Sequence, residues 1–168
     1  KASVPKGGVI PPYSIADLLK SCPVGDHSLF ELWHDAPLQA DFQDPELRAP
    51  MLEALKQKIE ASIVKAFTQN GRATELGDAW LKAAEKEFGL PPDGDWIFRS
   101  SFTAEDRPYK SGAGQYDSIV VKGKPKRGLQ QRRLTALAGV ISAAWNRSAV
   151  ESNLQMGIDL NAGWPSIV

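Results

Sequence analysis

The sequence is short of soft metal ligands and has no redox pair. It holds one cysteine, Cys22, so no internal disulfide can form, and a reducing, cytoplasmic setting is the natural expectation. His27 and His34 are the only other soft ligands; with Cys22 they fall short of the tightly spaced set that a zinc site uses. They read as a buried thiol and two ordinary surface imidazoles. No apolar run approaches the ~20 residues that span a bilayer, and none follows the charge at Lys1 as in a signal peptide. Neither sign of charge is in excess. With 20 basic and 20 acidic side chains, nothing global draws the chain to nucleic acid or to an anionic membrane. A Gly-x-x-x-x-Gly-Lys-Ser/Thr run is missing, which excludes a Walker-type phosphate loop. No Gly-x-Ser-x-Gly elbow serves Ser100 or Ser101, which argues against a serine nucleophile.

What is present is a globular mixture: 42% apolar residues are enough to bury a core. Val4 to Pro12 reads as a short extended segment, and Ser14 as the cap of a brief helix carrying Ile15, Leu18 and Leu19. A weaker helical stretch covers Leu29 to Trp33. The clearest helix starts at Asp44 as N-cap with Pro45 in the first position, and Pro50 is expected to shift that start toward itself. Met51, Leu55, Ile59, Ile63 and Phe67 recur every four residues, an apolar stripe, and Asn70-Gly71 supplies a stop. Thr74 to Phe88 forms a second helix with Leu76, Trp80, Ala83, Ala84 and Phe88 inward, ended by Gly89. Two strands follow, Asp95 to Phe102 and Gln115 to Val121, then a basic loop, a helix from Leu129 to Trp145, and a shorter one over Ser148 to Met156. Ser166-Ile167-Val168 resembles a strand cut in the middle, so apolar surface is expected around Trp164, Ile167 and Val168. The spacing implies an α+β fold, a small antiparallel sheet packed against several helices.

The chemistry concentrates in one stretch. Arg99-Ser100-Ser101, Thr103-Ala104-Glu105-Asp106 and Gly112-Ala113-Gly114 place a strand ending in arginine beside a polar, glycine-rich loop. An arginine fork suits phosphate oxygens, glycines let backbone amides approach an anion, and hydroxyls such as those of Ser100 and Ser118 can complete the rim. The same residues also describe a plain β-hairpin whose glycines only turn the chain. Physics alone leaves both open. Glu105 with Asp106 reads as a solvated pair before it reads as acid and base. Lys122, Lys124, Lys126, Arg127, Arg132 and Arg133 carry no interleaved aromatics, so a solvated loop and helix start outweighs nucleic-acid binding.

The order Arg99-Ser100-Ser101, Thr103-Ala104-Glu105-Asp106, Gly112-Ala113-Gly114-Gln115 resembles the signature of the ATP-grasp domain of pyruvate phosphate dikinases and phosphoenolpyruvate synthases, shared by rifampicin phosphotransferases. Ser111 to Ser118 is similar to the variant in α-glucan water dikinases. Val4 to Ile10 and Ala143 to Val150 also resemble segments of that family, so the likeness runs along nearly the whole chain.

The resemblance implies an ATP-binding kinase or transferase that uses ATP and Mg²⁺ to phosphorylate a mobile histidine, which then phosphorylates an acceptor. It implies Arg99 as the phosphate-contacting arginine, Gly114 and Gly112 as backbone approach points, and Ser118 as the hydroxyl on the nucleotide, with Ser100 on the rim. Phe102 stands where a smaller residue is usual. The family's Gly-Gly-Lys-Gly segment, acidic metal ligands and Thr-Ser-His segment have no counterpart here. Residues 1–168 are therefore expected to be one partial ATP-grasp domain, truncated at both ends and inactive alone. Its partners would be ATP, the other half of the ATP-grasp domain and a phosphohistidine domain, with neither nucleic acid nor membrane. A regulatory module that kept the fold and lost ATP is the competing expectation.

Overall fold

In the computed structural model, which describes residues 6–101, 106–107, 110–111, 118–161 and 166–167, helix α1 (Pro12–Ser21) begins on a proline whose fixed φ suits the first helical position. Ser14 is thus inside the first turn rather than capping it, and its amide bonds the Pro11 carbonyl at 3.0 Å. A small hairpin, β1 (Pro23–Val24) with β2 (His27–Ser28), leads to α2 (Leu29–Asp35). That helix owes its start to a capping box absent from the sequence reading. The Ser28 hydroxyl accepts from the Glu31 amide at 3.2 Å, and the Glu31 carboxylate accepts from the Ser28 amide at 2.7 Å.

A 3-10 turn (Ala36–Leu38) and α3 (Ala40–Gln43) precede the long helix α4 (Pro45–Phe67). Asp44 caps it, its carboxylate accepting from the Glu46 amide at 2.9 Å. Pro50 does not delay the start; the helix runs through it. An interior proline costs about 3 kcal/mol, and the burial of Leu52, Leu55, Ile59, Ile63 and Phe67 offsets that. Met51, expected to head the stripe, is only half-buried, and its neighbour Leu52 is the residue that reaches the core. Asn70-Gly71 is not a helix stop but the turn of a hairpin, β3 (Thr68–Gln69) with β4 (Arg72–Ala73). Both turn residues have positive φ, 51° and 75°, as the tight primed turn that favours Asn-Gly requires.

Helix α5 (Glu75–Phe88) is capped by Thr74, whose hydroxyl accepts from the Gly77 amide at 3.2 Å and donates to the Ala66 carbonyl at 2.7 Å. Its inward face differs from the expected one. The helix approaches the core through Gly77 and Leu81, with Gly77 too close to the Phe67 carbonyl for any side chain. This rotates Leu76, Trp80, Ala84 and Phe88 to half-burial and Ala83 to solvent. Those residues wall an open groove of about 420 Å³ with Val9, Ile10 and Tyr13 opposite.

The remaining elements are β5 (Trp96–Ser101), the pair β6 (Asp106–Arg107) and β7 (Lys110–Ser111), β8 (Ser118–Val121), α6 (Leu129–Ser142), a 3-10 turn (Ala143–Trp145), α7 (Arg147–Gln155) and β9 (Ser166–Ile167). Strand β5 is central in the order β8-β5-β9, antiparallel to both neighbours. Mixed helices and small antiparallel sheets make the fold α+β. Helix α6, with ten of its fourteen residues buried, lies between α4 and the sheet. Gly139 lets it sit close, since an added Cβ there would lie 3.0 Å from the Ile119 side chain. Trp145 packs edge-on against Trp33, with ring centres 5.3 Å apart. Trp164 and Val168 lie outside the described residues, and no helix among the described residues is long and apolar enough to cross a membrane.

Candidate functional site

Alternation along β5 decides which side chains meet. Trp96, Phe98 and Ser100 turn to the buried, helix-covered face; Ile97 and Arg99 turn outward. On β8, Val121 is buried and Ile119 half-buried, while Ser118 and Val120 are exposed. The register pairs Ile97 with Val120 and Arg99 with Ser118. Directly opposed residues of an antiparallel pair share a face. The outer face therefore presents an arginine beside a hydroxyl, next to an apolar pair exposed by 57% at Ile97 and 52% at Val120. Among the described residues Arg99 makes no hydrogen bond or ion pair.

Of the residues expected to bind nucleotide, Arg99 and Ser118 are brought together. Ser100 belongs to the opposite, buried face, so its hydroxyl is not part of that pair. Gly112 and Gly114 lie outside the described residues, as do Phe102 and Glu105. Ile97 and Val120 were not singled out by motif. The period-two alternation of Trp96 to Arg99 carried the signal, since burying the two aromatics leaves the isoleucine outside.

Comparison with protein-family models, with curated proteins and with solved structures returns no match. The chemistry of this face therefore rests on its own geometry. An unpaired guanidinium offers a planar fork of donors, a hydroxyl adds a donor, and the apolar pair gives a flat surface. Such a face has the donors to meet an anion and the flat surface to meet an apolar body beside it.

The other end of the β5–β8 pair is stapled. Lys122 donates to the Asp95 carboxylate at 2.8 Å, and the Gly123 amide donates to its second oxygen at 2.8 Å. The Lys122 bond first, and the Gly123 amide next, hold the Asp95 carboxyl below the usual carboxylate range. Lys126 pairs with Asp93 at 2.6 Å. Arg132 donates to the carbonyls of Arg127 at 2.6 Å, Pro125 at 2.6 Å and Lys122 at 3.2 Å. Lys122 and Lys126 thus tie the basic loop to the start of β5, and Arg132 closes that loop on itself.

Elsewhere, Cys22 is buried, and burial pushes its thiol above the ordinary range. His34 meets the Phe30 ring at a tilt, with ring centres 4.5 Å apart, and His27 stands 4.0 Å from Glu31. Among the described residues no three His, Cys, Asp or Glu side chains gather as metal ligands.

Proposed function

We propose that the outer face of β5 and β8 holds the phosphates of ATP, as the ATP-binding part of an ATP-grasp phosphotransferase of the dikinase type. One observation carries the reading: Arg99, exposed and unpaired among the described residues, stands opposite Ser118 on an uncovered face. The resemblance of the Arg99 to Ser118 segment to the dikinase signature supports the same assignment. Arg99 would grip phosphate oxygens through its fork, and the Ser118 hydroxyl would donate a further bond. Ile97 and Val120 would lie under the less polar part of the nucleotide. ATP supplies the phosphoryl group; these side chains supply positioning and charge stabilisation. In the parent reaction a mobile histidine takes the phosphoryl group and passes it to an acceptor.

Calorimetric titration of ATP into wild type and Arg99→Lys tests this. Lysine keeps the charge and loses the fork, so affinity should fall by about 1.5–3 kcal/mol, the range for a charge-assisted hydrogen bond. Folding stability should hardly move, because the side chain is exposed. Unchanged affinity with reduced stability would show that Arg99 is structural.

A further inference from the structure

Among the described residues Arg133 is the one charged side chain that is buried, at 2% exposure. Its guanidinium lies 3.6 Å from the centre of the Trp96 ring. Nη1 donates to the Pro92 carbonyl at 2.8 Å and stands 3.6 Å from the Glu85 carboxylate. Nη2 donates to the Gly94 carbonyl at 2.8 Å and reaches the Pro91 carbonyl at 3.3 Å. Nε is buried and has no hydrogen-bond partner among the described residues. The Trp96 indole donates to the same Pro91 carbonyl at 2.9 Å.

For stability alone this is a poor use of a core position. An apolar residue of similar volume in place of a buried charge is often neutral or better, and an unmade bond at a buried N–H is a cost. Local violations of this kind concentrate where function demands them. The demand is visible in what the fork holds: three carbonyls of the turn that enters β5, and the face of the first residue of that strand. Arg99 follows three residues later.

We infer that Arg133 is a positioning residue for the Arg99 face. It grips the Pro91–Gly94 turn and Trp96 from the buried side and so sets where β5 delivers Arg99 opposite Ser118. The inference rests on the nucleotide reading of that face. Arg133 touches no ligand; it acts through the strand. A small displacement of a binding group is costly, so the coupling from turn to ligand can be large.

The test uses Arg133→Met, which removes the fork, Arg133→Lys, which keeps a charge without it, and Leu134→Ala as a destabilised control on the same helix. ATP affinity is measured by calorimetry at a temperature where circular dichroism shows each variant folded. Amide hydrogen exchange is followed on the same samples. Both Arg133 variants should bind ATP about tenfold more weakly or worse, with faster exchange confined to the Asp93 and Gly94 amides and β5. Leu134→Ala should lower the melting midpoint, leave ATP affinity alone and raise exchange across the whole core rather than in β5 alone. If Arg133→Met does not fold, Arg133→Lys carries the comparison. Retained ATP affinity in a folded Arg133 variant overturns the inference. Should wild type fail to bind ATP, the functional reading falls, and exchange alone decides: faster exchange limited to β5 upholds Arg133 as its positioner, and unchanged exchange overturns it.

Discussion

Replacing Ile59 by alanine probes the contact on which the helical layer depends. Ile59 is fully buried, with Leu55 and Ile63 one turn away on either side, and α4 makes its broadest contact with α6. The substitution removes three carbons, and at ~0.8 kcal/mol for each buried methylene the transfer loss alone is about 2.4 kcal/mol. The site cannot collapse easily, because α6 on the far side is buried by the sheet. A residual cavity then raises the total to about 3–4 kcal/mol, inside the ~2–5 kcal/mol seen for such truncations. For a domain of this size that is a fall of roughly 6–16 °C in the melting midpoint. Urea denaturation followed by circular dichroism gives the free energy directly, and an unchanged slope shows that the denatured state is the same. A loss below about half a kcal/mol, the range of ordinary surface substitutions, would refute the placement of the stripe at the α4–α6 contact.

Two further outcomes follow from titrating groups. The Asp95 carboxyl is held below its usual range by Lys122 and the Gly123 amide, so its stabilising effect is fully present above the unfolded value near about 3.9 and disappears as pH falls through the lower folded value. Asp95→Asn should therefore flatten the acid limb of the stability–pH curve, and an identical acid limb in the two proteins would dismiss the staple. Cys22, buried with its thiol pushed upward, should react with a disulfide reagent only as the protein unfolds; rapid labelling of the native protein at pH 8 would contradict its burial.

Local chemistry was the legible part of the sequence. Asp44, Thr74 and Gly89 mark their helix ends because caps act within a few residues of themselves. The α4 stripe was readable because one helix face meets one core. The face of α5 was not, since its orientation is set by Gly77 meeting the Phe67 carbonyl, a tertiary contact without a period. Asn70-Gly71 was legible as a break but not as a hairpin, because both endings use the same left-handed backbone. Of the candidate site, Arg99 and Ser118 were readable from motif, and the opposite facing of Ser100 follows only once the register is known. Arg133 could not be singled out. Its partners lie about forty positions away, and nothing in a run of basic residues tells a buried fork from a solvated one.

The alternation of β5 has a bearing on how the chain can vary. Arg99 points outward because Trp96 and Phe98 must point inward, so the aim of the guanidinium is inherited from hydrophobic burial rather than chosen at Arg99 itself. Loss or gain of one residue between Trp96 and Arg99 would drive the charge into the core, whereas a change of two residues would restore its direction. A molecule with the strand in the wrong register would lose the outward aim of Arg99 and its stability together. Misaligned copies would therefore be cleared as unfolded chains instead of persisting as folded molecules with a misdirected charge.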